Sequence, residues 1–189
     1  SAIAKLLSAN GAKVFPLSLT SKQFAVDLTR YEEVKTIFNS LGPIDGLINC
    51  VGFLFLKSFY HLTQKEIDIL IKTNLHALLY SCHTAQVKKG GHIINLASSA
   101  FSRGRKYYAL YSSAKAAVVN FTQGLAEERK DLFINVVIPQ RTATRMRTKN
   151  FPNENPQSLI QPSNVAKKVV DILQSSIATG TIYDVKKDD

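Results

Sequence analysis

The sequence predicts an α/β fold, a doubly wound parallel sheet covered by helices. Three observations predict it. Helix-like and strand-like patterns alternate along the chain, as strand–helix–strand units require. The stretches 47–51, 91–97 and 133–138 are nearly continuous apolar runs, the pattern of strands buried on both faces. The helix-like stretches carry recognisable start and stop signals.

Taken in order, residues 1–10 read as an amphipathic helix that Gly11 can cap. Residues 12–17 read as a strand, and 24–26 as another ending at Asp27. Residues 31–41 are helical and stop at Gly42-Pro43. Residues 46–50 form a strand that leaves through Asn49-Cys50-Val51-Gly52. Thr63 and Glu66 make a capping box that opens a long helix through Asn74. The run 91–97 is a strand ending at Ser98, and a loop follows to about residue 110. A helix carrying Tyr111 extends to about residue 129, and 133–138 is a buried strand ended by Pro139. Pro162-Ser163-Asn164 opens a last helix, and 181–185 closes as a strand. With 189 residues and no repeat, low-complexity stretch or linker, the expectation is one domain, 1–189.

The composition is 45% hydrophobic and 20% charged, that of a globular protein. No apolar run approaches the roughly 20 residues a membrane helix needs, so no membrane association is expected. The N-terminal residues resemble an amphipathic helix rather than a signal peptide. Cys50 and Cys82 lack metal-ligand spacing; no metal site is expected, and reduced thiols suit the cytoplasm. Net charge is +10, from 24 basic and 14 acidic residues. A solvated basic surface or anionic ligands fit that excess. Nucleic acid fits less well, because no basic-aromatic motif accompanies the charge.

Chemistry concentrates at Tyr111 and Lys115. At i and i+4 both side chains lie on one helix face. An ammonium near a phenol favours the phenolate, which would make Tyr111 a general acid/base near neutral pH. Thirteen residues upstream, Ser98 leaves a strand where its hydroxyl can enter a crevice at the sheet's carboxyl edge.

The strand end Asn49-Cys50-Val51-Gly52, Asn74, Ser98, the Tyr111/Lys115 pair and the turn Pro139-Gln140-Arg141-Thr142-Ala143-Thr144 occur in this order. Together they resemble the short-chain dehydrogenase/reductase family, along essentially the whole chain. Two departures lie in the first motif, where Cys and Val replace Asn and Ala, and one in the turn, where Gln replaces Gly. The resemblance implies a Rossmann-like fold and an NAD(P)H-dependent carbonyl reductase. It implies that Tyr111 donates the proton and Ser98, rather than Ser99, hydrogen-bonds the carbonyl oxygen. Lys115 would lower the Tyr111 pKa and hold the nicotinamide ribose, and Asn74 would hold a relay water. Cofactor contacts would come from Asp27 at the adenine, Asn49 and Gly52 on the floor, Tyr111, Lys115, Pro139, and Thr142 and Thr144 at the nicotinamide. The family's helices holding Asn74 and Tyr111 pair in a homodimer.

The family also carries a first strand and a glycine-rich turn before a helix like residues 1–10. Neither stands in this sequence, so an N-terminal segment of the domain is expected to be absent from it. No acidic residue occupies 15–22, while Ser18, Thr20, Ser21 and Lys22 suit a 2′-phosphate. NADP is therefore expected over NAD.

Arg141, Arg145, Arg147 and Lys149 fall in and after the nicotinamide turn, where the family places its substrate loop. Guanidinium forks match phosphate geometry, so a phosphorylated small molecule is expected. The runs 139–151, 103–105 and 116–123 resemble one branch of the family. It is the reductase part of bifunctional bacterial enzymes that reduce ribulose 5-phosphate and make CDP-ribitol for surface polysaccharides. Ketoacyl or hydroxysteroid reduction, a non-catalytic dinucleotide fold and a nucleic-acid module are the alternatives.

Overall fold

The protein is described by a computed structural model covering residues 1–175 and 178–187. Four parallel strands, β1 (Ile44–Asn49), β2 (Val87–Leu96), β3 (Phe133–Pro139) and β4 (Ile182–Val185), lie side by side in that order. Asn49 pairs with Asn95, Leu96 with Val137, and Pro139 with Val185. This register brings the carboxyl ends of all four strands to one edge.

Helices cover both faces. On one face, α1 (Ala2–Ala9) and α7 (Pro162–Ser175) pack Ile3, Val165, Val169 and Ile172 against Ile94 and Val137. On the other face lie α2 (Tyr31–Leu41), α3 (Gln64–Ile71), α4 (Ala77–Thr84) and α5 (Ala109–Glu128). There Val34, Phe38 and Ala126 meet Ile93 and Ile134, while Leu78, Val118 and Val119 meet Val136 and Ile138. Burial on both faces is why the strands read as unbroken apolar runs. Ile134 is fully buried, and its truncation to Ala would cost about 2–5 kcal/mol.

Two expected strands do not form. Residues 12–17 and 24–26 are irregular, joined only by an isolated bridge between Ser18 and Ala25. The physical reason is the want of a neighbour: β1 pairs with β2 alone, and no described strand lies on its other side. Within these stretches Val26 is buried and Leu17 packs half-buried on the core, while Ala12, Lys13 and Pro16 are exposed, so the apolar pattern fixed neither pairing nor full burial. The remaining differences are local. β2 starts at Val87, earlier than expected, across a register irregularity opposite Ile44. Gly91 allows it, since a Cβ there would stand 2.6 Å from the Asp45 carbonyl. α1 ends at Ala9 with Asn10 as its C-cap and Gly11 just beyond at φ 84°, where its amide closes the last turn on the Ser8 carbonyl, and Thr63 and Glu66 form the expected reciprocal cap on α3. The helix through Asn74 is broken by a π turn over Lys72–His76. Among the described residues no helix is long and apolar enough to cross a membrane.

Candidate active site

A cleft of about 800 Å³ opens at the carboxyl edge of the sheet. Its floor comes from strand ends and α5. Leu96, Ala97 and Ser98 leave β2, and Tyr111 and Lys115 face the cleft from α5. The N-terminal end of α1 contributes Ser1, Ala2 and Ile3. Arg105, Tyr108, Arg141, Thr142, Thr144, Met146 and Arg147 also line it.

Lys115 is only 3% exposed. Its Nζ donates to the Leu96 carbonyl at 3.1 Å and lies 5.8 Å from the Tyr111 ring centre. Burial pulls its pKa down to about 8, against a smaller opposing effect of Cys50. Tyr111 is buried too, and that burial raises its pKa above 10. Hydrogen bonding with Ser98 and the Arg147 charge work in the other direction. Desolvation outweighs these opposing effects on Tyr111, so its net shift is upward. Both groups are desolvated, and the Arg147 charge eases ionisation of Tyr111. The Ser98 hydroxyl also accepts from the Ala100 amide at 3.3 Å.

Asn74 lies behind the cleft rather than in its wall. Its Oδ1 accepts from the Phe53 amide at 3.0 Å. Its Nδ2 donates to the carbonyls of Phe53 at 2.8 Å and Leu70 at 2.9 Å. The π turn presents this amide to the chain just after Gly52, where a Cβ would meet Asn74 Oδ1 at 3.4 Å and Lys115 Nζ at 3.6 Å. Asn49 is likewise withdrawn, bonded to Asn95 at 2.9 Å and Cys82 at 3.3 Å. Cys82, desolvated, has its thiol pushed up to about 12. Cys50 lines the cleft, accessible yet walled in, and that desolvation raises its thiol pKa. Asp27 is outside the cleft. It accepts from the Thr29 hydroxyl at 2.7 Å and amide at 2.9 Å, and these bonds hold its carboxyl below the usual range.

The predicted basic run divides. Arg141 and Arg147 line the cleft, whereas Arg145 and Lys149 are exposed and do not. Thr144 caps the short helix α6 (Arg145–Asn150) by accepting from the Arg147 amide at 3.2 Å. Asn150 ties that helix to the Leu54 carbonyl at 2.9 Å. Glu154 accepts from Arg147 Nε at 2.6 Å, Arg147 Nη2 at 2.7 Å and Arg141 Nη1 at 3.1 Å. These arginines hold its carboxyl below the usual range.

Sequence reasoning did not place Arg105, Tyr108 or Glu154 at the site. Arg105 stood in a basic triplet before Tyr111, the one available signal. Glu154 follows Arg147 by seven residues across a turn, a separation with no local signature.

Cofactor chemistry fits the floor. One of the three Lys115 N–H groups is spent on Leu96, which leaves donors beside Tyr111 for ribose hydroxyls. Pro139, Thr142, Thr144 and Gly52 line the same space. Among the described residues no cluster of His, Cys, Asp and Glu is suited to a metal ion.

Comparison with known proteins agrees with this architecture. The chain is 35% identical over 181 residues to a bifunctional ribulose 5-phosphate reductase/CDP-ribitol pyrophosphorylase of Haemophilus influenzae, covering 93% of this chain and 38% of that protein. It is 33% identical over 135 residues to an acetoacetyl-CoA reductase of Allochromatium vinosum, covering 65% of this chain and 54% of that protein. The chain thus spans about two fifths to a half of these relatives. A short chain dehydrogenase of Burkholderia cenocepacia, solved in complex with NADP, shares the fold at a TM-score of 0.90 and 23% identity. That match covers 98% of this chain and 91% of the other. Residues 1–155 match the short chain dehydrogenase family, and the chain belongs to that family of NAD(P)-dependent oxidoreductases.

Proposed function

We propose that this chain reduces the carbonyl of a phosphorylated sugar with NADPH, and that ribulose 5-phosphate is the substrate. The observation that carries this reading is the set of three arginines, Arg105, Arg141 and Arg147, lining the same cleft as Ser98 and Tyr111. The first relative named above reduces ribulose 5-phosphate by its name, and its similarity spans 93% of this chain.

The reduced nicotinamide, when bound, supplies a hydride. Ser98 donates its hydroxyl hydrogen to the substrate oxygen and stabilises the charge gathering there. Tyr111 gives its phenolic proton to that oxygen, so hydride and proton together complete the alcohol. The phenolate left on Tyr111 is offset by the Arg147 charge and, below its pKa of about 8, by the Lys115 ammonium. Lys115 and Tyr111 would hold the ribose, Gly52 would let it approach, and Pro139, Thr142 and Thr144 would take the nicotinamide. Asn74 fixes the loop after Gly52 and so shapes the floor from behind. The absence of a carboxylate at 15–22 favours NADP over NAD. The protein acts as a cytoplasmic homo-oligomer.

The test is NADPH oxidation by the full-length protein with ribulose 5-phosphate, unphosphorylated ribulose and acetoacetyl-CoA, each with a Tyr111→Phe control. Turnover that needs both the phosphate and Tyr111 is expected. Turnover of acetoacetyl-CoA alone would replace the sugar phosphate by a ketoacyl substrate and leave the roles of Ser98 and Tyr111 standing.

A further inference from the structure

Arg147 is held on two sides. Its Nε and Nη2 donate to the Glu154 carboxylate at 2.6 and 2.7 Å. Its flat face lies over the Phe151 ring, with the guanidinium carbon 3.8 Å from the ring centre. The Glu154 side chain is 13% exposed and that of Arg147 21%, so this pair is not a solvated surface contact. The segment is fixed at both ends. Thr144 caps α6, Asn150 is tied to Leu54, and residues 142 and 160 are bridged. A guanidinium has five N–H donors in a rigid fork. Glu154 takes two of Arg147's, and three remain on a group that lines the cleft.

An arginine side chain otherwise has large rotamer freedom, which binding must freeze. Here the freezing is done before any ligand arrives. We propose that Glu154 is a positioning residue for anion recognition: it fixes the Arg147 fork so that its unspent donors meet the anionic group of the substrate. This rests on the sugar-phosphate reading above and extends it to a carboxylate that never touches the substrate. The opposite role is also physically clear. A carboxylate on the fork could merely neutralise it, and its removal would then strengthen anion binding.

The experiment separates these. Full-length protein loaded with NADPH is titrated with inorganic phosphate, followed by phosphorus NMR. The proteins are wild type, Glu154→Ala, Glu154→Gln, Arg147→Ala and the Arg147→Ala/Glu154→Ala double variant. Loss of preorganisation is expected to weaken phosphate binding about tenfold in Glu154→Ala. Glu154→Gln, which keeps one acceptor for the fork, is expected to fall between it and wild type. In the Arg147→Ala background, removal of Glu154 should change binding far less, because the main effect runs through Arg147 and only the 3.1 Å contact to the exposed Arg141 remains. In turnover of ribulose 5-phosphate the loss should appear in KM more than in kcat. Equal or tighter phosphate binding in both Glu154 variants overturns the proposal. So does an equal loss in the Arg147→Ala background, which would mark a general effect on the fold. Failure of ribulose 5-phosphate turnover in wild type, with the phosphate result intact, would overturn the substrate and leave the positioning role.

Discussion

The floor and the rim of the cleft are built from different materials. On the floor, Ser98, Tyr111 and Lys115 come from a strand end and one long helix. They are buried or half-buried, and Lys115 is held by a backbone carbonyl. On the rim, Arg105, Arg141, Arg147 and Glu154 come from loops and a short helix, and the last three are held by one another. Sheet register sets the floor, so its geometry survives changes in surface sequence. Side-chain charge sets the rim, so one substitution can re-aim it. Under the proposed function, the difference assigns reaction type to the floor and choice of substrate to the rim.

Removal of the Tyr111 hydroxyl should draw that line most sharply. Tyr111→Phe is expected to lower kcat about 10²- to 10⁴-fold, the usual worth of a positioned general acid. Binding of NADPH should change far less. A loss confined to KM would place Tyr111 with the rim and break the comparison.

Lys115 tests how dry the floor is. Its pKa is about 8 in the folded chain, against about 10.4 for an unperturbed lysine. Between those values the unfolded chain binds more protons than the folded one, so stability rises with pH. The cost of burying the ammonium is fully present below about pH 8 and is gone above the unfolded pKa. Relative to Lys115→Met, the wild-type protein should gain up to about 3 kcal/mol across that window, read from urea unfolding without cofactor. Cys82 and Tyr111 have raised pKa values and oppose this trend in both proteins, and Cys50, which feels the Lys115 charge, is removed by making the comparison in a Cys50→Ser background. Parallel curves would mean that water reaches the ammonium.

The same division explains what the sequence made legible. The runs 47–51, 91–97 and 133–138 gave three of the four strands because burial on both faces leaves an apolar trace in consecutive residues. Ser98, Tyr111 and Lys115 were legible because a strand end and a helical i, i+4 pair fix their mutual placement. Residues 12–17 carry a similar apolar trace yet stay exposed or half-buried and form no strand, since composition says nothing of an available neighbour. Asn74 was found, but its amide is bonded to the Phe53 backbone, a contact 21 residues away that no local pattern encodes. The Arg147–Glu154 pair was missed for the same reason: an ion pair across a turn has no periodicity.

Asn74 bears on the floor from behind. Asn74→Ala would strand the Phe53 amide and carbonyl and the Leu70 carbonyl, with a cost of about 2–4 kcal/mol. Its measure is the shift of the urea midpoint at constant slope. A cost near zero would mean that water replaces the amide easily and that the floor is softer than its burial suggests.

The smallest effect is expected at the outer part of the rim. The Arg141 side chain is 58% exposed and meets Glu154 through one contact at 3.1 Å, whereas Arg147 is 21% exposed and meets it through two shorter ones. An exposed charge is screened by salt over a Debye length of about 8 Å at physiological ionic strength, and ordering a free side chain offsets much of what remains. Arg141→Ala should therefore raise KM for ribulose 5-phosphate only about two- to threefold, and the effect should fade in about 0.5 M salt. Arg147→Ala should cost more and keep most of its effect in salt, because its fork is half-buried and already held. The ratio of the two losses, measured at low and high salt, reads the gradient from rim to floor directly. Equal losses that vanish together in salt would mean that the rim acts only as a diffuse field, with no fixed fork within it.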